Sequence, residues 1–218
     1  EMCTPEKMEW VAERHPGCMV AIGLEAYDDE VLKFHCNKGF STKQWHRAIE
    51  TLRANDLGVK TYLLFKPPFM SEGDALNHCV EWIRAIAHLS DEVSVNPMNI
   101  QRRTIVDRLF RNREYRPPWL WSLVDMIERV HPVDGRLIVH PTAAGKIRGA
   151  HNCGKCDREV AAAIERYSVS LDIAEFTGLD CECKKRWRCE VELDGAIPAP
   201  LGVGLDRRGD AVEALMSP

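Results

Sequence analysis

Short apolar runs alternate with amphipathic stretches along the first two thirds of the chain. Residues 18–24 (CMVAIGL) form a continuous aliphatic run near Gly23, which predicts a buried parallel strand. Asp28, Asp29 and Glu30 then place acids in the first turn of a short helix over 31–36. Ser41 predicts the cap of a second helix over 43–55, with Trp45, Ile49 and Leu52 at helical spacing. Residues 59–65 (VKTYLLF) read as the next strand, stopped by Pro67 and Pro68. A helix capped by Ser71 follows, its apolar stripe being Leu76, Cys79, Val80, Ile83 and Ile86. Residues 93–96 give a third strand closed by Pro97. Strand and helix in this alternation predict crossover connections and a parallel sheet, hence an α/β fold.

Beyond Arg102 the pattern changes. A helix is predicted over 119–130 behind Pro117 and Pro118, a short strand over 136–140, a glycine-punctuated loop over 142–149, and a helix over 157–167 with Val160, Ala163 and Ile164 on one face. The Pro/Gly/Ala-rich stretch after Asp194 reads as a loose tail with weak helix potential at 211–216. Three strands are too few to close a barrel. A preceding half would complete one, and the chain, which opens on Glu1, reads as a fragment whose N-terminal part is missing.

Composition is that of a water-soluble globular chain of 218 residues, with 45% hydrophobic and 28% charged residues. No run reaches membrane-spanning length and no signal peptide is recognisable, so a reducing cytoplasm is the expected compartment. The net charge of −4 excludes a generally basic nucleic-acid coat. Charge is unevenly placed, however. Arg102, Arg103, Arg108, Arg111, Arg113 and Arg116 face only Asp107 and Glu114, a local net charge of +4, with Phe110, Tyr115, Trp119 and Trp121 nearby. Guanidinium forks grip phosphates and aromatic rings stack on unpaired bases, so this run, with Lys146 and Arg148, is a candidate RNA surface. A solvated helix face with core aromatics is the plain alternative for most of these residues taken singly.

Nine cysteines include two close pairs, Cys153-Gly-Lys-Cys156 and Cys181-Glu-Cys183. Two such turns supply four thiolates, which suits a structural zinc ion, with His151 or Cys189 as a replacement ligand and an iron–sulfur cluster as the alternative. Their polar neighbours, among them Asn152, Lys155, Asp157 and Glu182, argue against four reduced core thiols. At strand ends, Glu25, Lys66 and Asn96 stand where barrel chemistry gathers. For each there is a plain alternative as well: a helix-cap partner, a surface lysine and a turn-former before proline.

The stretches Ala21-Ile-Gly-Leu-Glu25, Asp29-Glu-Val-Leu32, Lys38-Gly-Phe40, Thr61-Tyr-Leu-Leu-Phe-Lys66-Pro-Pro-Phe69 and Ser94-Val-Asn-Pro97 resemble radical S-adenosylmethionine (SAM) proteins related to the Elongator catalytic subunit. Tyr115-Arg-Pro-Pro-Trp-Leu-Trp121 and Gly149-Ala-His-Asn-Cys-Gly-Lys-Cys-Asp157 narrow the resemblance to the branch acting in archaeosine formation on tRNA. It covers residues 1–192 and implies the C-terminal half of a partial (β/α)6 barrel over 1–134, a metal-stabilised extension over 135–193 and a flexible tail over 194–218. It implies SAM as cofactor, contacted by Gly23, Glu25, Lys66 and Asn96, and a [4Fe–4S] cluster. The C-x-x-x-C-x-x-C motif that holds this cluster does not occur in the chain and is expected upstream. It also implies tRNA and a second archaeosine synthase subunit as partners, and a radical that breaks a carbon–nitrogen bond in a lysine adduct of a 7-deazaguanine. Glu1 to Pro5 is expected to end the preceding strand.

Overall fold

In the computed structural model, which describes residues 3–196, four parallel strands form one sheet in the order β1-β2-β3-β4: β1 Met19–Glu25, β2 Gly58–Phe65, β3 Glu92–Pro97 and β4 Arg136–Val139. The fold is α/β. Helices α1 Pro5–Arg14, α2 Asp29–Phe34, α3 Thr42–Arg53, α4 Glu72–Ile86, α5 Ile105–Arg111, α6 Leu120–Val130, α7 Asp157–Ser170 and α8 Cys183–Ala196 complete it. The tail helix potential at 211–216 lies outside the described residues.

The caps are those the side chains dictate. Asp28 accepts from the N–H groups of Glu30 and Val31 at 2.8 and 3.0 Å and starts α2. Ser71 Oγ accepts from Asp74 N at 3.1 Å and starts α4. Three helices differ from the sequence expectation. Residues 5–14 form α1 rather than a strand end, because Pro5 suits a first helical position behind Thr4. Thr104 caps α5 within the arginine run. α8 starts on Cys183, the last residue of the second cysteine pair, and buries Trp187 against the core.

Helices cover one face of the sheet. Val59, Leu63, Phe65, Val93, Val95 and Val139 are buried there with Leu76, Ile83 and Ile127. This core runs on from the barrel strands through β4, α7 and Trp187, without a break at residue 134. The opposite face is more open. Ala21 is exposed and Tyr62, Leu64 and Asn96 are half-buried. In register along this face, Lys60, Glu92 and Arg136 form an ion-pair row, with Lys60 to Glu92 at 2.6 Å and Arg136 to Glu92 at 3.4 Å. A parallel sheet with one open face is unusual, since crossovers normally bury both.

Candidate functional site

Parallel strands send all their following loops to one edge, and the polar groups of interest gather there. At the end of β1 the register to β2 shifts between Gly23 and Glu25. Glu25 takes a left-handed φ of 72°. Its carboxylate folds back to Lys38 Nζ at 3.1 Å, with each side chain about one quarter exposed. A β-carbon on Gly23 would stand 2.9 Å from Glu25 Oε1 and 3.4 Å from Lys38 Nζ, so glycine leaves room for this pair. Two strands over, the half-buried Asn96 side chain has no hydrogen-bond partner among the described residues. Ser94, two residues earlier on the same strand face, is fully buried, and its Oγ likewise lacks a partner. Glu25 and Asn96, both partly exposed, therefore fit the polar parts of a SAM-like ligand, as acceptor and amide on one side of the sheet, whereas Ser94 lies beneath the surface.

Lys66 does not fit that role. Its ammonium turns inward to Glu72 Oε2 at 2.7 Å, in a pair that is 5% and 0% exposed. Glu72 Oε1 also accepts from Trp119 N at 2.8 Å and from Ser122 Oγ at 2.6 Å, and Ser122 Oγ accepts from Trp187 Nε1 at 2.8 Å. Burial of both charges is tolerable only because each is paired and hydrogen-bonded. The expected cofactor contact is thus a structural bolt joining the end of β2 to α4, α6 and α8. Sequence spacing gives no hint of it, since Glu72 reads as a first-turn helix acid.

The two cysteine turns meet as expected. Sγ–Sγ distances are 4.0 Å for Cys153–Cys156, 3.8 Å for Cys153–Cys181 and 3.6 Å for Cys156–Cys183, and all four atoms lie within 4.8 Å of one another. Four thiolates about 2.3 Å from one tetrahedral ion stand about 3.8 Å apart along each edge. The set therefore fits a single ion. A four-iron cluster would seat each thiolate on its own iron and spread the sulfurs further. Asp157 knits the first turn by accepting from Asn152 N at 2.9 Å and Gly154 N at 2.6 Å. Asn152 Nδ2 and Trp121 Nε1 lie 3.3 Å from Cys156 and Cys183 Sγ, donors that favour thiolates. Partial burial pushes the Cys153 thiol up, but the N–H groups of Lys155 and Cys156 and the neighbouring thiols pull it down to about 7. Burial holds Cys156 up at about 11. His151 Nδ1 pairs with Gly149 O at 2.8 Å, and neither His151 nor Cys189 joins the cluster.

The arginine run divides. Asp107, one of the two acids within the arginine run, accepts from Arg148 at 2.6 Å, Arg111 at 2.9 Å and Arg103 N at 2.9 Å. Arg148 first among these, and against its burial, holds the Asp107 carboxyl down at about 2. Arg116 lies over Trp119 at 3.8 Å and bonds the carbonyls of Pro117 and His151, each at 2.8 Å. Arg116 and Arg148 are therefore committed to the fold rather than presented to RNA, while Arg111 is paired with Asp107 but stays exposed. Arg102, Arg103, Arg108, Arg113 and Lys146 remain exposed.

No family model matches the chain. The archaeosine synthase subunit beta of Methanosarcina acetivorans is 36% identical over 178 residues, 80% of this chain and 51% of that protein. The subunit of the same name from Thermococcus kodakarensis is 38% identical over 191 residues, 86% of this chain and 58% of that protein. The chain is a relative of the archaeosine synthase β subunits. It spans about half the length of the curated relatives it matches. Among solved structures, Elp3 of Methanocaldococcus infernus, with residues 1–46 deleted, superposes with a TM-score of 0.58 at 18% identity, over 82% of this chain and 40% of that one. The fold is thus shared with that Elp3 protein. Among the described residues no helix is long and apolar enough to cross a membrane.

Proposed function

We propose that this chain supplies the C-terminal wall of a radical-SAM barrel in an archaeosine-forming enzyme acting on tRNA in the cytoplasm. The observation that carries this reading is the open sheet face with Glu25 and Asn96 at its C-terminal edge, in a relative of the archaeosine synthase β subunits. SAM and an iron–sulfur cluster, when bound, supply hydrogen abstraction from a lysine adduct on the 7-deazaguanine, so that its carbon–nitrogen bond breaks and a formamidine remains. The residues of this chain bind and orient. Glu25 offers an acceptor to ribose hydroxyls or an ammonium, while Asn96 offers an amide partner. The apolar strands keep water away from a reactive carbon centre. Arg102, Arg103 and Arg108 hold phosphates of the tRNA, and a second synthase subunit would deliver the adduct. The four cysteines hold one zinc ion with a structural role, because every coordination position is filled by protein.

The test is anaerobic turnover by the full protein with SAM, a reductant and tRNA carrying the lysine adduct. Release of 5′-deoxyadenosine and formation of archaeosine are expected by mass spectrometry. Glu25→Gln should weaken SAM binding roughly tenfold, the loss of one charged hydrogen bond. Neither product forming in the wild-type reaction would remove the enzymatic reading. Binding of tRNA without SAM binding would favour the second reading, a noncatalytic zinc-stabilised RNA module, which the complete cysteine site and exposed arginines also suit.

A further inference from the structure

The loops after β3 and β4 are distant in sequence and meet on one carboxylate. Residues 98–115 pack as a small lobe at the C-terminal edge of the sheet, around the buried Ile100, Val106 and Tyr115. Tyr115 Oη donates to Lys66 O at 2.6 Å and Met98 N to Phe65 O at 3.0 Å, so the lobe is fixed to the end of β2. The glycine loop after β4 is fixed to the lobe in turn. Ile100 N donates to Arg148 O at 2.8 Å, and Arg148 Nε returns a bond to Ile100 O at 3.1 Å. The buried Asp107 closes the joint, accepting from Arg148 of the glycine loop and from Arg111 and Arg103 N of the lobe. Gly149 N donates to Lys146 O at 2.9 Å, which makes 146–149 a tight turn with the exposed Lys146 at its start.

Charge at this joint is one-sided. Residues 98–116 and 140–149 carry eight arginines and lysines against Asp107 and Glu114. Asp107 is engaged within the joint, and Arg116 and Arg148 are held by the fold. Arg102, Arg103, Arg108, Arg111 and Lys146 stay exposed, with Glu114 as the exposed acid of the two loops. The aromatic rings of the stretch are not offered to a ligand. Tyr115, Trp119 and Trp121 are buried, and the half-buried Phe110 lies under the Arg148 guanidinium at 5.5 Å. The exposed Ile105 and Ile147 are single aliphatic side chains of the kind ordinary surfaces carry.

We propose that the two loops form one platform for the sugar–phosphate backbone of a paired RNA stem, with Asp107 as the positioning residue that holds the Lys146 turn against the α5 lobe. This rests on the tRNA reading above and deepens it by naming the part of the RNA that is held. Cations on two joined, anchored loops suit phosphates spaced regularly along a duplex. Unpaired loops and ends are read by stacking on open aromatic faces, and the rings of these two loops present none. A protein partner would need an apolar centre inside its charged rim.

The test measures binding of the full protein to tRNA, to a twelve-base-pair RNA duplex and to a twelve-residue oligouridylate over a range of salt concentrations. The duplex should bind about tenfold more tightly than the single strand at low salt, whatever its base sequence, because its phosphates are denser. Arg102→Gln and Lys146→Gln, both at exposed positions, should each lower the salt slope by about one and leave the melting temperature unchanged. Asp107→Asn should remove the share of Lys146 in binding, so that Lys146→Gln added to it changes the slope no further. An oligouridylate bound as tightly as the duplex overturns the paired-stem assignment. A slope untouched by Lys146→Gln overturns the joint platform, and full additivity of Lys146→Gln with Asp107→Asn overturns the positioning role. The two glutamine variants decide the platform without recourse to Asp107→Asn. A wild type that binds tRNA with a slope unaltered by either glutamine variant removes the platform alone, whereas one that binds no tRNA removes the tRNA reading with it.

Discussion

Around the four cysteines, everything the site needs comes from two turns between residues 153 and 183 and the side chains that brace them. At the ends of β1 and β3, the groups come from separate strands, and the sheet face they stand on is open. The first site is complete within the chain, and its four sulfurs are spaced as one tetrahedral ion requires. On the proposed reading the second is a wall, whose groups acquire a purpose only when a ligand lies against them. The difference shows in the unsatisfied groups. Asp157, Asn152 and Trp121 support the cysteine turns with hydrogen bonds, whereas among the described residues the buried Ser94 Oγ has no partner. A structural site satisfies itself, and a binding site leaves polarity in reserve.

Removing the metal should have the largest effect. A structural tetrathiolate ion contributes on the order of 10 kcal/mol to folding. Cys156→Ser, Cys183→Ser or a strong chelator should lower the melting temperature steeply and unfold α8 with the cysteine turns. Superimposable melts with and without chelator would break the contrast between the two sites. Next comes the bolt between them. Glu72→Ala leaves Lys66 charged and buried, and should cost about 3–5 kcal/mol in urea denaturation, whereas Glu72→Leu with Lys66→Met should recover most of that. Equal losses in the single and double variants would show that the pair is not what holds β2 to α8.

Asp107 gives a pH dependence. Its folded value of about 2 lies below the usual carboxylate value near 3.9, so its contribution is full above about pH 4 and is lost as pH falls toward 2. Asp107→Asn should loosen the 101–111 segment at neutral pH and flatten that acid limb, as read by hydrogen exchange. An unchanged limb would assign the acid sensitivity elsewhere. The smallest stability change is expected for Glu25→Gln, within about 1 kcal/mol, because its pair with Lys38 is partly exposed. A much larger loss would make Glu25 a structural group like Glu72.

Much of this was legible in the chain. Continuous runs such as 59–65 and 93–96 mark buried parallel strands, and β2 and β3 fall there with boundaries shifted by a residue or so. The cysteine pairs announce their own site because ligand spacing is local. What stayed hidden depends on contacts distant in sequence. Lys66 at a strand end looks like a pocket group until Trp119 and Ser122 bring Glu72 into a shared core. Arg148 looks like an RNA ligand until Asp107 draws it into the fold at 2.6 Å. α8 escaped because its polar surface masks the few positions, Cys183, Trp187 and Val191, that pack inward.

The central claim is that one region is a closed structural metal centre and the other an open ligand-binding wall. Zinc-edge X-ray absorption on the full protein tests it most directly, because it reads the number and kind of ligands. One zinc per chain with four sulfurs at about 2.3 Å is the expected result. Zinc absent from the four cysteines, or bound there with an oxygen or nitrogen in an open position, would contradict it.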